Sequence, residues 1–372
     1  DCDYSHTRSM SSPTSTSRLP IAQTRSSSRS PSRDGLDLSK AEQAPSVCPM
    51  RASRFAKVLS VNSVDMDTLR KLSWSGVSSE QRATVWLLML QVLPASSDQW
   101  AATTQKRLAS YRDLVRQFPC DADESSQTSQ MQATLKQIRK DVPRTQPDIP
   151  LFQTPRLQEM ILRILYIWSI RHPATGYVQG INDMLTPFIF VFLSDVFSGK
   201  FQDVKIETIN DDGFEMIESK CFFCLTKVLE MVPDMYLFGQ PGIQRMLFRF
   251  EQLIKRIDAV LYKHLTDQGV QFMQFAFRWM NCFLIRELPL EVVVRFWDSY
   301  IGDESNSGFT SFHVYISAAL LTFYAPHLKT LEFPDLLLFL QGLPTKELSF
   351  RDVESILSQG FVYQSIFNNT KF

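Results

Sequence analysis

Six cysteines in 372 residues, at positions 2, 48, 120, 221, 224 and 282, have neither the density nor the regular spacing of a disulfide framework, which points to a reducing compartment. Neither sign of charge is in excess: 39 Lys and Arg stand against 39 Asp and Glu, giving zero formal net charge. A chain bound mainly by phosphates needs a basic field, so no nucleic-acid partner is expected. Long apolar runs are missing too. The longest stretch without Asp, Glu, Lys or Arg, Ser305 to Leu328, has an apolar heart short of the roughly 20 residues a bilayer span requires. It reads as a buried helix, and no transmembrane segment is expected. No basic start followed by an apolar core marks a secretory leader, and a chain opening on Asp1 reads as a fragment without its native start.

Several enzyme signatures are absent. Gly199-Lys200 lacks a phosphate-cradling glycine before it, and there is no His-Glu-x-x-His pair, no Gly-x-Ser-x-Gly elbow and no Gly-x-Gly-x-x-Gly fingerprint. Cys221-Phe-Phe-Cys224 has the spacing of half a zinc site but no second pair, and its apolar setting favours two small buried residues.

What the chain has in quantity is apolar: 44% of its residues are hydrophobic, with 28 Phe and 13 Met, as in a folded protein with a large core. Residues 1–50 stand apart. They are Ser-rich, with Arg8, Arg18, Arg25, Arg29 and Arg33 and no acid between Asp3 and Asp34, and such a segment buries too little apolar area to offset its ordering entropy. A disordered tail is expected there, serving as a solvated linker, a phosphorylation-regulated docking segment or an RNA-associated Arg/Ser tract.

From Arg51 onward the apolar residues recur at helical spacing with no hairpin signal, which predicts an all-α fold. Leu157 to Ile170 is apolar almost all round, with a narrow stripe at Glu159, Arg163 and Tyr166, and reads as a buried helix ended by His172-Pro173. Gln271 to Glu287 repeats that design. Ile243 to His264 reads as one amphipathic helix, and Phe197 to Gly213 as a polar, mobile loop. Proline and glycine at both ends of Pro233 to Gly242 mark a boundary between two helical halves, 51–235 and 236–372.

Two segments could carry chemistry. In Ile138-Arg-Lys-Asp141-Val-Pro143-Arg144-Thr-Gln-Pro147 the prolines push Val142 and Gln146 toward extended geometry, so Arg144 projects from an irregular segment. Asp141 can accept from its guanidinium, which fits either an oriented arginine or an ordinary surface ion pair. In Gly176-Tyr177-Val-Gln179-Gly180-Ile-Asn182-Asp183 two glycines bracket a tight turn that presents a carboxamide, either outward or to local backbone groups.

Ile138, Asp141 and Arg144 in Ile-x-x-Asp-x-x-Arg, followed by Tyr177 and Gln179 in Tyr-x-Gln, resemble the two signature motifs of TBC-domain GTPase-activating proteins for Rab GTPases. The similarity runs from about residue 70 to 345 and takes in Gly76-Val77, Arg82, Trp86, Gln274 to Met280 and Arg295-Phe-Trp297-Asp298. Trp168 to Asp183 is most similar to the subgroup associated with Golgi Rabs. The sequence departs from the commoner pattern at Ser78, where Pro usually follows Gly-Val, and at Ala83, where Gly often follows Arg.

The resemblance implies a V-shaped fold of two helical subdomains and a dual-finger mechanism. Arg144 would be the arginine finger and Gln179 the glutamine finger, with Asp141, Tyr177, Gly180, Asn182 and Asp183 in support. The partner would be a GTP-loaded Rab-family GTPase that carries the GTP and Mg²⁺, so the chain itself needs no cofactor. Its place would be cytoplasmic, peripheral on Golgi membranes. The alternatives are a catalytically silent TBC scaffold and a helical adaptor recruiting partners through its tail.

Overall fold

Asp65 opens a helix by accepting from the backbone N–H groups of Asp67 and Thr68, and Thr128, Asn210, Asp258 and Ser349 cap others in the same way, each taking up donors that a helix start leaves unpaired. The computed structural model describes residues 49–121, 127–197, 201–303 and 307–368. The Ser/Arg-rich segment lies outside them except for its last two residues, Pro49 and Met50, which already belong to the first helix.

The body begins with α1 (Pro49–Leu59), α2 (Met66–Trp74) and α3 (Ser79–Met89), followed by α4 (Trp100–Gln117) and α5 (Ser129–Asp141). Next come α6 (Pro155–Arg171), α7 (Ile181–Val196), α8 (Asp211–Met231), α9 (Pro241–Ile257), α10 (Ala259–Asp267), α11 (Phe272–Asn281) and α12 (Leu290–Ile301). The chain closes with α13 (His313–Phe323), the single turn α14 (Ala325–Leu328), α15 (Phe333–Gln341) and α16 (Phe350–Phe367). Among the described residues the β pairing is one isolated bridge between Ser63 and Ser96, and no helix is long and apolar enough to cross a membrane.

At the centre lies α7, buried on every face from Ile181 to Leu193 and packed against α3, α6, α8 and α12. Each large side chain on it, such as Phe188 or Leu185, contributes about 1.5–3 kcal/mol on burial. Pro187 sits inside this helix and has no N–H for the Asp183 carbonyl. The Thr186 hydroxyl donates to that carbonyl instead, at 2.9 Å.

The predicted helix Leu157–Ile170 is α6. Other expectations need correction. Ile243–His264 is two helices: the chain breaks at Asp258, at φ −140° and ψ 80°, whose carboxylate caps α10. The second buried helix stops at Asn281, not Glu287, because Phe283 and Leu284 adopt left-handed backbone conformations, φ 48° and 61°. The apolar stretch before Leu328 begins with a π-type turn, Gly308–Phe312, before α13. The segment after α7 is not a plain polar loop: Phe201, Val204, Ile206 and Ile209 are buried, around two 3-10 turns. Cys221 and Cys224 are both buried on α8.

Residues that the resemblance brought in from both ends of the chain meet inside it. The buried Asp298 carboxylate on α12 accepts from the Val77 N–H at 2.9 Å, Arg82 Nε at 3.0 Å and Trp86 Nε1 at 2.8 Å. The Trp86 indole stacks on Trp297, ring centres 6.1 Å apart. Gly76, at φ 95°, lets the chain turn beneath Arg295, whose Nε would lie 2.9 Å from any Cβ there.

Candidate functional site

At the end of α5, Leu135 and Ile138 bury one face of the helix and carry Asp141 into the interior, where it is fully shielded from solvent. The chain then runs on through one 3-10 turn, Val142–Arg144. Val142 is helical, φ −55° and ψ −51°, and Gln146 is left-handed at φ 45°, so neither takes the extended geometry expected before a proline. Burial of Val142 against the core outweighs that bias. Arg144 ends the turn with half its side chain exposed, and its Nη2 donates to Asp141 Oδ1 at 2.6 Å.

The second segment leaves α6 at His172, whose Nδ1–H donates to the Trp168 carbonyl at 2.7 Å. It turns through Gly176 and Gly180, at φ 64° and 112°, and enters α7. Tyr177 folds inward from this turn, and Gln179 is exposed. The Tyr177 hydroxyl donates to Asp141 Oδ2 at 2.8 Å. One buried carboxylate thus holds Arg144 on one oxygen and Tyr177 on the other, joining segments 36 residues apart. Burial first, and then the Asp141 carboxylate beside it, raises the Tyr177 pKa, so the phenol keeps the proton it donates.

Asn182 staples the same arrangement from the first turn of α7. Its Oδ1 accepts from the Gly180 N–H at 3.1 Å, and its Nδ2 donates to Thr145 Oγ1 at 3.0 Å, which in turn donates to the Asp141 carbonyl at 3.0 Å. Asp183 stands apart from this chain of bonds. It is buried and accepts from the Cys282 thiol at 3.5 Å, and burial raises its pKa.

Arg144, Asp141, Tyr177, Gly180 and Asn182 therefore gather at one place, Gln179 rides on the turn they fix, and Asp183 lies behind it. Sequence reasoning missed Thr145, Gln137, which donates to Asp141 Oδ1 at 3.3 Å, and Asn281, whose Nδ2 donates to the Gln179 carbonyl at 3.2 Å. Thr145 lies next to the motif. Asn281 belongs to the polar stripe Gln271, Gln274, Arg278 and Asn281 of the second buried helix, but no local pattern pairs it with Gln179, 102 residues away.

This arrangement can present a guanidinium and a carboxamide together on a rigid base, both facing solvent. It has no nucleophile beside a general base, and no group of three or more His, Cys, Asp or Glu suited to a metal occurs among the described residues.

The Rab-GTPase-TBC domain family matches residues 79–329. GTPase-activating protein gyp1 of Schizosaccharomyces pombe is 40% identical over 319 residues, 86% of this chain and 62% of that protein. TBC1 domain family member 22B of Homo sapiens is 40% identical over 318 residues, 85% of this chain and 62% of that protein. The chain spans about three-fifths of the length of these curated relatives. In three dimensions it is similar to the crystal structure of the Ypt/Rab-GAP domain of Gyp1p, with a TM-score of 0.80 at 40% identity, covering 86% of this chain and 99% of that one. The Chlamydomonas flagellar RabGAP TBC domain shares the fold at 18% identity, with a TM-score of 0.58 over 85% of this chain and 93% of that one. From its all-helical body and these matches, the chain belongs to the Rab-GTPase-TBC domain family.

Proposed function

We propose that this chain accelerates GTP hydrolysis on a Rab-family small GTPase by inserting Arg144 and Gln179 into the partner's nucleotide pocket. The observation that carries this reading is the bond pair on Asp141, which holds Arg144 and the Gln179 turn in one frame while leaving both end groups exposed.

Hydrolysis transfers the γ-phosphoryl group to water, and charge is spread over the phosphoryl oxygens in the transition state. The Arg144 guanidinium supplies positive charge there. A carboxamide both donates and accepts, so Gln179 can hold the attacking water in line. Asp141 directs the arginine, and Tyr177 with Asn182 fixes the turn that carries the glutamine. The nucleotide and its Mg²⁺ arrive with the GTPase. An arginine finger is worth about 10³ to 10⁵ in rate, roughly 4–7 kcal/mol of barrier. The resemblance to activators of Golgi Rabs supports a cytoplasmic place, peripheral on Golgi membranes.

The test is GTP hydrolysis by a panel of GTP-loaded Rabs with and without the chain. Strong stimulation of one Rab or a few is expected. Binding of a GTP-loaded Rab with no stimulation of any would make this a scaffold.

A further inference from the structure

Gln179 is exposed, so few contacts hold its side chain, and the direction in which it leaves the surface is set by its backbone. That backbone is gripped from the other half of the sequence. Asn281, the last residue of α11, is buried, and its Nδ2 donates to the Gln179 carbonyl at 3.2 Å. The Asn281 carbonyl accepts from the buried Tyr236 hydroxyl at 3.1 Å, so the amide stands on a fixed base. On the receiving side, a Cβ on Gly180 would collide with Asn281 Nδ2. The glycine's φ of 112° and the missing side chain together make room for this approach.

We propose that Asn281 is a positioning residue for the glutamine finger: its carboxamide fixes the Gln179 peptide and thereby the reach of the Gln179 side chain. This rests on the reading of Gln179 given above. The left-handed break at Phe283 and Leu284 ends α11 at Asn281, so this carboxamide stands at the helix's last residue.

A group that orients water loses large factors in rate when displaced by a fraction of an ångström to an ångström. Asn281→Ala removes the donor, and Asn281→Leu keeps the volume without it. Both should lower kcat about 10-fold or more on the GTP-loaded Rab that the unaltered chain stimulates most, with KM nearly unchanged and with the melting temperature recorded as a control on folding. Tyr236→Phe leaves Asn281 in place and removes only its support. It should give a smaller loss of the same kind, and it carries the test if the Asn281 variants do not fold.

The deciding readout is non-additivity. In a Gln179→Ala background, none of these changes should lower kcat further, because they act through a side chain already gone. A large loss for Gln179→Ala together with unchanged kcat, or fully additive losses, for Asn281→Leu and Tyr236→Phe would overturn this inference alone. Unchanged kcat for Gln179→Ala itself would overturn the function reading beneath it.

Discussion

Arg144 is oriented by a buried carboxylate three residues before it, so the loss of its guanidinium should show far more in rate than in stability. Arg144→Ala is expected to reduce stimulated hydrolysis by about 10³ or more with the fold intact, and to lower the melting temperature modestly because Asp141 keeps only Tyr177 and Gln137 as partners. Arg144→Lys should recover little, since a compact ammonium cannot reproduce the planar fork that meets both Asp141 and a phosphoryl oxygen. His313 shows the opposite kind of residue, buried and structural. Its Nε2–H donates to the Trp279 carbonyl at 3.0 Å and its Nδ1 accepts from the Tyr300 hydroxyl at 3.0 Å, while burial lowers its pKa from 6.5 to about 3. The unfolded chain therefore takes up this proton first. Stability contributed by the neutral imidazole is complete above pH 6.5 and is lost at about 1.4 kcal/mol per unit as pH falls from 6.5 toward 3. Urea unfolding at pH 7 and pH 5 should show a larger acid loss for the unaltered chain than for His313→Gln. Equal losses would mean that His313 already carries its proton when folded.

The turn between α6 and α7 is the element on which the account depends, and Gly180 is its least replaceable residue. Gly180→Ala meets both a left-handed φ and the Asn281 amide, so it should cost about 1–3 kcal/mol of stability and lower kcat. Thermal melting and GTP hydrolysis on the same sample check both. Sequence pattern shows α6 and the bracketing glycines plainly, because helical periodicity and tight turns are local. The pairing of Arg144 with Asp141, three residues apart, is legible for the same reason. Other features depend on distant packing. Burial of Val142 keeps a pre-proline residue helical, and a single aspartate, Asp258, divides what reads as one amphipathic helix. Left-handed Phe283 and Leu284 end α11 where the apolar pattern continues. The Tyr177 bond to Asp141 and the Asn281 bond to Gln179 span 36 and 102 residues, beyond any spacing rule.

Across the whole molecule, polar contacts tie residues early in the chain to late ones, among them Asn281 to the glutamine turn and Asp298 to Val77, Arg82 and Trp86. Asp298→Ala would leave the Trp86 indole N–H and the Val77 amide buried without an acceptor and Arg82 without its counter-ion. About 3–5 kcal/mol of lost stability in urea unfolding is expected, with the finger chemistry per folded molecule unchanged. A loss below about 1 kcal/mol would show that the motif around Asp298 does not hold these segments together. The proposed mechanism bears on the partner as much as on this chain: if Gln179 supplies the carboxamide, the GTPase's own water-positioning glutamine is dispensable. The most direct measurement is single-turnover GTP hydrolysis by the best-stimulated Rab with that glutamine changed to Ala. Strong stimulation by the unaltered chain and almost none by Gln179→Ala is expected. No stimulation of the altered Rab by the unaltered chain, with full activity of Gln179→Ala on the unaltered Rab, would contradict it.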